Sequence, residues 1–277
     1  MAAGSGSMSE DVVRHRDEGL RHQDTVTGSI VATAEKLDQA GWATATNCPP
    51  WDVTMLVAHM TRGAESFMTI VKNGLKGITD ITQTAEERQR RMAELATLSS
   101  ADLLSTFQNN QREYRSLLAG LSEDELSRHG RHPWALQPLW WFGDQRLAEL
   151  AFHDWDLHRS LGREKEIDSG VAAYLFPAVL ERNVKTFHKP SPASYGHWVI
   201  RATDVEDGTW LVEPDDAGVA MSRRSADGDP VISGDAAALL RWFYGRASID
   251  ELEQAGRVSV AGSRFRASAW GQMFPAP

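Results

Sequence analysis

Apolar residues recur at helical spacing over four long stretches in the first part of the chain. From about Glu10 to Leu37, the residues Val12, Leu20, Val26, Ile30, Ala34 and Leu37 are compatible with one amphipathic helix. The run GWATATNCPPW ends it, because Pro49 and Pro50 cannot continue a helix. Asp52 is placed to cap a second helix, VTMLVAHMTRGAESFMTIVK. After a polar stretch, Ser99 or Ser100 caps a third, with Leu103, Phe107, Tyr114, Leu118 and Leu121 on its inner face. SRHGRHPWALQP reads as loop. A fourth helix runs from about Leu139 to Leu161, and Gly162 stands where a helix stops. Four helices joined by loops predict a helix bundle.

Beyond Gly162 the period shortens. YGHWVIRATD, GTWLVEPDD and GVAMSRRS are strand-like runs separated by Asp/Gly turns. GDAAALLRWFYGR predicts a helix started at Asp235, GRVSVAG a strand, and FRASAWGQMF a final helix. VAAYLFPAVLERNVKTF is helical and could belong to either half. The expected fold class is an α-helical four-helix bundle over residues 10–165, followed by a smaller α+β domain over 166–277. Residues 1–9, opening MAAGSGSM, are expected to be a disordered expression scar and are set aside.

Composition narrows the chemistry. A net charge of −9 makes a broad footprint for nucleic acid or anionic lipid unexpected. No apolar run reaches the roughly 20 residues of a membrane span. The one cysteine, Cys48, excludes an internal disulfide, fits a reducing cytoplasm, and excludes a thiolate-rich zinc site. It precedes two prolines with no adjacent base and is expected to be a buried structural thiol.

In the fourth helix, AELAFHDWDLHRSLG carries Glu149, His153 and Asp156 at i, i+4, i+7. At about 100° per residue, His153 and Asp156 fall about 40° and 20° to either side of Glu149. The stripe therefore lies inside the apolar half of the helix, whereas Asp144, Asp154 and His158 fall on the opposite side. A buried carboxylate needs a cation or several donors. A divalent metal would serve, and so would a pairing of Glu149 with Arg146 or another arginine, with His153 an ordinary core histidine. His59 in the second helix is flanked by Met55, Leu56, Gly63 and Ala64 and also points inward. Two inward histidines and a glutamate match the count for His₂Glu coordination with a fourth position open.

NCPPWDVTMLVAHM, followed about ninety residues later by ELAFHDWDLHRSLG, resembles the mycothiol-dependent maleylpyruvate isomerase family of DinB-like metalloproteins. The resemblance covers roughly residues 10 to 165, and the later part is similar to the sterol-carrier-like domain of many members. It implies a divalent metal, usually zinc, held by His59, Glu149 and His153, with mycothiol as the thiol cosubstrate. It also implies a catalytic arginine in the second domain, best matched by Arg246, with Arg201 second. A cation at the open position would hold the thiol as thiolate for attack on a small electrophilic substrate. The aromatic run HPWALQPLWWFGD, with Trp134, Trp140 and Trp141, could wall a pocket or form plain core. Its bulk favours S-transfer or thiol exchange over cis–trans isomerisation of maleylpyruvate type; a metal- or small-molecule-binding module without turnover is a third reading. Asp156 would orient a ligating histidine, or cap or pair on the helix surface.

Overall fold

The computed structural model describes residues 7–81, 83–192, 195–224 and 227–276. The opening segment set aside above lies outside them up to residue 6. Helix α1 (Ser7–Ala34) buries Leu20, Val26, Ile30 and Ala34. After a single-turn α2 (Gln39–Trp42), α3 (Val53–Leu75) starts at Asp52, whose carboxylate accepts from the Met55 N–H at 2.8 Å. The polar stretch then forms a helix that periodicity did not reveal, α4 (Ala85–Leu95), opened by a capping box of Thr84 and Glu87. It buries only Met92 and Leu95, too few positions to show a period. Ser99 caps α5 (Ser100–Ala119), and a short α6 (Glu123–Leu126) follows.

The segment read as loop contains a small hairpin, β1 (His129–Arg131) paired antiparallel with β2 (Leu136–Pro138). Three-residue strands are too short to display alternation. Helix α7 (Trp141–Ser160) closes the bundle and ends as Gly162 takes a positive φ of 68°. In the bundle α3 packs on α5 and α7, and α1 packs on the same two, so the four long helices form a closed square.

Helices α3 and α7 run antiparallel. Phe67, late in α3, meets Phe142 at the start of α7, while His59, early in α3, meets His153 late in α7. Phe67, Met68, Val71, Tyr114, Leu118, Leu139 and Phe142 form an apolar core around the first of these meetings. Each such side chain contributes roughly 1.5–3 kcal/mol when buried. The second meeting is polar.

The chain divides into two compact units, Met1–Glu166 and Ile167–Pro277. The second begins with α8 (Ser169–Thr186). Its sheet comprises β3 (Trp198–Ala202), β4 (Thr209–Asp215), β5 (Gly218–Arg223), β6 (Val231–Gly234) and β7 (Val258–Ala261), in the order β5-β4-β3-β6-β7. Only the β3–β6 pairing is parallel. Central β3 is buried over the consecutive Trp198, Val199 and Ile200, so it reads as an apolar run rather than an alternation. Helices α9 (Ala236–Phe243), α10 (Ile249–Gln254) and α11 (Arg264–Met273) complete the unit. Phe243, Trp270 and Phe274 stack within its core. Among the described residues no helix is long and apolar enough to cross a membrane.

Candidate metal centre

Helix α7 is buried on nearly every side, so each polar residue along it must find a partner on a neighbouring element. On the side facing α1, Asp144 meets His15 at 2.9 Å, and Asp154 accepts from Ser29 at 2.8 Å and from Lys165 at 2.6 Å. The stripe of Glu149, His153 and Asp156 faces α3 instead. His59 Nε2 lies 3.0 Å from Glu149 Oε1, and the His59 and His153 rings stand edge to face at 4.9 Å between centroids. Of the three residues expected to share a metal, His59 thus touches both Glu149 and His153.

Behind each sits a second layer of contacts. Asp156, fully buried, approaches His153 Nδ1 at 3.0 Å through Oδ2 and accepts from the Cys48 thiol at 3.2 Å through the same oxygen. This corrects the expectation for Cys48: the thiol is half-buried and has a carboxylate beside it, supplied by a residue far away in sequence. Among the described residues, the three donor atoms that lie within 4.8 Å of one another are one each from Cys48, His153 and Asp156, so His153 belongs to a donor set other than the expected one. Glu149 Oε2 accepts from Arg146 Nη1 at 2.7 Å. The pairing weighed as an alternative to a metal therefore exists, and it engages the oxygen that does not face His59. His59 Nδ1 has the Arg62 guanidinium at 3.4 Å.

Arg146 is fully buried and well supplied with acceptors. Its Nε and Nη2 donate to Gln111 Oε1 at 3.0 and 2.8 Å, and Nη2 also donates to the Met60 carbonyl at 2.8 Å. Gln111 donates to Gln23, which donates to the Gly143 carbonyl, so the chain of bonds links α5, α1 and α7. Nothing in the local pattern marks Gln23 or Gln111, which read as polar positions on amphipathic helices.

Electrostatics favour ligation. Burial lowers the His59 pKa, and the nearby Glu149 carboxylate does not restore it, so the imidazole is neutral at pH 7. Burial alone would raise the Glu149 pKa, but the Arg146 charge, the His59 hydrogen bond and Arg62 hold it well below the usual carboxylate range. A neutral imidazole, a carboxylate anion and a second imidazole braced by Asp156 are a donor set that fits a divalent cation.

The aromatic contact to these histidines comes from Trp51, whose ring lies 4.7 Å from that of His59 and 6.4 Å from that of His153. Its place in the run CPPW, one residue before the helix cap, is the signal that could have found it. Trp134 and Trp141 pack on His132, Trp141 also on Phe142, and Trp140 on His15. Arg246 lies in the second unit, half-buried just after α9, and donates to the Tyr244 carbonyl at 3.1 Å. Arg201 is exposed on β3.

Residues 24–158 match the model of the mycothiol maleylpyruvate isomerase N-terminal domain, and residues 171–268 match that of the same family's C-terminal domain. Among solved structures, the crystal structure of a mycothiol-dependent maleylpyruvate isomerase superposes with a TM-score of 0.63 at 17% identity, covering 89% of this chain and 92% of the other. A histidine-to-alanine mutant of such an enzyme superposes equally, at 16% identity over the same shares. At that identity the likeness establishes a shared fold. No curated protein matches the chain in sequence. The two domain matches span most of the molecule in their expected order, and the chain belongs to the mycothiol maleylpyruvate isomerase family of enzymes.

Proposed function

We propose that this chain is a divalent-metal-dependent, mycothiol-using cis–trans isomerase acting on a small unsaturated diacid of maleylpyruvate type, in the cytoplasm. The observation that carries the reading is the convergence of His59, Glu149 and His153 from two helices, within a family named for that reaction. Isomerisation displaces the S-transfer favoured by the aromatic run, because both domain matches and both structural relatives carry the isomerase name. The bulk argument also weakens, since the described ring contacts of Trp134, Trp140 and Trp141 are with His132, Phe142 and His15.

His59, Glu149 and His153 would hold the cation, zinc being the metal best suited to this donor set. When bound, it supplies a positive charge that keeps a thiol ionised at neutral pH. The chain's own residues do the rest. Burial keeps His59 uncharged, and Arg146 with His59 and Arg62 keeps Glu149 ionised, the charges that ligation needs. With Asp156 accepting at Nδ1, His153 keeps Nε2 for ligation. Trp51 covers the two rings and limits water around the sulfur. Arg246 is proposed to pair with a substrate carboxylate. The sulfur adds to the carbon–carbon double bond, the resulting single bond rotates, and the thiol departs unchanged.

The test is turnover of maleylpyruvate with mycothiol by the purified protein, before and after chelation. Activity that disappears with chelator, returns with zinc and leaves the thiol concentration constant supports the proposal. Accumulation of a stable S-conjugate would move the assignment to transferase, and a metal-loaded protein that converts neither partner would make it a binding module.

A further inference from the structure

Glu149 has two carboxylate oxygens, and the structure gives them different surroundings. Oε1 faces His59 Nε2 at 3.0 Å, whereas Oε2 is taken by Arg146 Nη1 at 2.7 Å. Arg146 itself cannot swing away, because Gln111 and the Met60 carbonyl hold the other side of its guanidinium in a fully buried site. The opposing helix has adapted to this pair. A Cβ at Gly63 would lie 2.6 Å from Glu149 Oε1, 2.8 Å from Oε2 and 2.7 Å from Arg146 Nη1, so only glycine leaves the room the pair occupies.

We propose that Arg146 is a positioning residue that restricts Glu149 to one-oxygen ligation, and that Gly63 makes this arrangement possible. The inference rests on the metal reading above and says something further about it. A carboxylate free to chelate with both oxygens would use two coordination positions. One locked to an arginine uses one, which leaves the fourth position for a thiol sulfur. The lock also explains a buried arginine whose charge would otherwise be a cost: it offsets the Glu149 anion from the side away from His59.

Cobalt substitution reads the coordination number, because four-coordinate cobalt(II) absorbs visible light more strongly than five-coordinate. Native protein loaded with cobalt should give the intense spectrum. Arg146→Lys, which keeps the charge but loses the planar fork, should give a weaker one as both Glu149 oxygens reach the metal, and zinc affinity should fall roughly 10–100-fold. Gly63→Ala should lower zinc affinity and alter the cobalt spectrum by displacing the Glu149–Arg146 pair without removing it, and guards against a fold defect specific to Arg146→Lys. A crystal structure of the native zinc-loaded protein needs no variant: one Glu149 oxygen on the metal, with the other still on Arg146, is expected. Both oxygens on the metal, or a cobalt spectrum and zinc affinity unchanged in folded Arg146→Lys and Gly63→Ala, would overturn the positioning role while leaving the metal reading intact. Native protein that takes up no cobalt or zinc would remove both.

Discussion

His153 is the residue on which two donor sets meet. Through one neighbourhood it joins His59 and Glu149; through Asp156 it joins Cys48. Bond chemistry separates them. Asp156 already accepts from both Cys48 and His153 through one oxygen, the pattern of a carboxylate that orients a ligating imidazole. Because Cys48 is the only cysteine in the chain, any thiolate-to-metal charge-transfer band in the near ultraviolet must come from it. The expected spectrum of cobalt-loaded protein, recorded without added thiol, lacks that band, and Cys48→Ser leaves the visible bands unchanged. A near-ultraviolet band that disappears in Cys48→Ser would show that the metal sits on the Cys48 side.

At the scale of elements, stability comes from ends and pairings as much as from apolar faces. The capping box at Thr84 and Glu87 holds a helix with little core of its own, so Thr84→Ala should cost about 1 kcal/mol, read as a lower urea midpoint. An unchanged midpoint would mean that packing against α3 suffices. His15 ties α1 to α7 through Asp144. Burial lowers its pKa, but the hydrogen bond and charge of Asp144, with Glu18, outweigh that and raise it above 6.5. A raised folded pKa stabilises the protein fully below the unfolded value near 6.5, and that part is lost as pH climbs through the folded value. The stability gap between native protein and His15→Gln should therefore shrink as the pH rises above the unfolded value near 6.5. A gap that stays constant or widens would remove the charged pair from the account.

These elements also show what was readable in advance. Helices α3, α5 and α7 carry both a period and a stop or cap signal, and their limits follow from Asp52, Ser99 and Gly162. Helix α4 had a capping signature but almost no buried face, and β6 and the β1–β2 hairpin are too short for alternation to appear. In the site, the spacing of Glu149 and His153 put both on one helix face. The Gln23–Gln111–Arg146 chain was hidden because its members lie 88 and 35 residues apart, and glutamine on an amphipathic helix looks like a solvent position.

At the scale of the whole molecule, His59, Glu149 and His153, proposed above as metal ligands, and their supports all belong to the first unit, while both candidate arginines belong to the second. That division separates two kinds of failure. Substituting His59 should remove the cation and with it any turnover, because the proposed ligands are the bundle's own side chains. Arg246→Ala should leave metal content and the cobalt spectrum as in the native protein. Its effect should fall on kcat, by roughly 10²–10³-fold if the guanidinium meets charge on the reacting diacid. Arg201→Ala serves as the comparison, since that side chain stands exposed on the central strand. A large loss with Arg201→Ala and none with Arg246→Ala would transfer the role to β3. Equal and negligible effects would mean that the bundle carries out the chemistry without an arginine from the second unit.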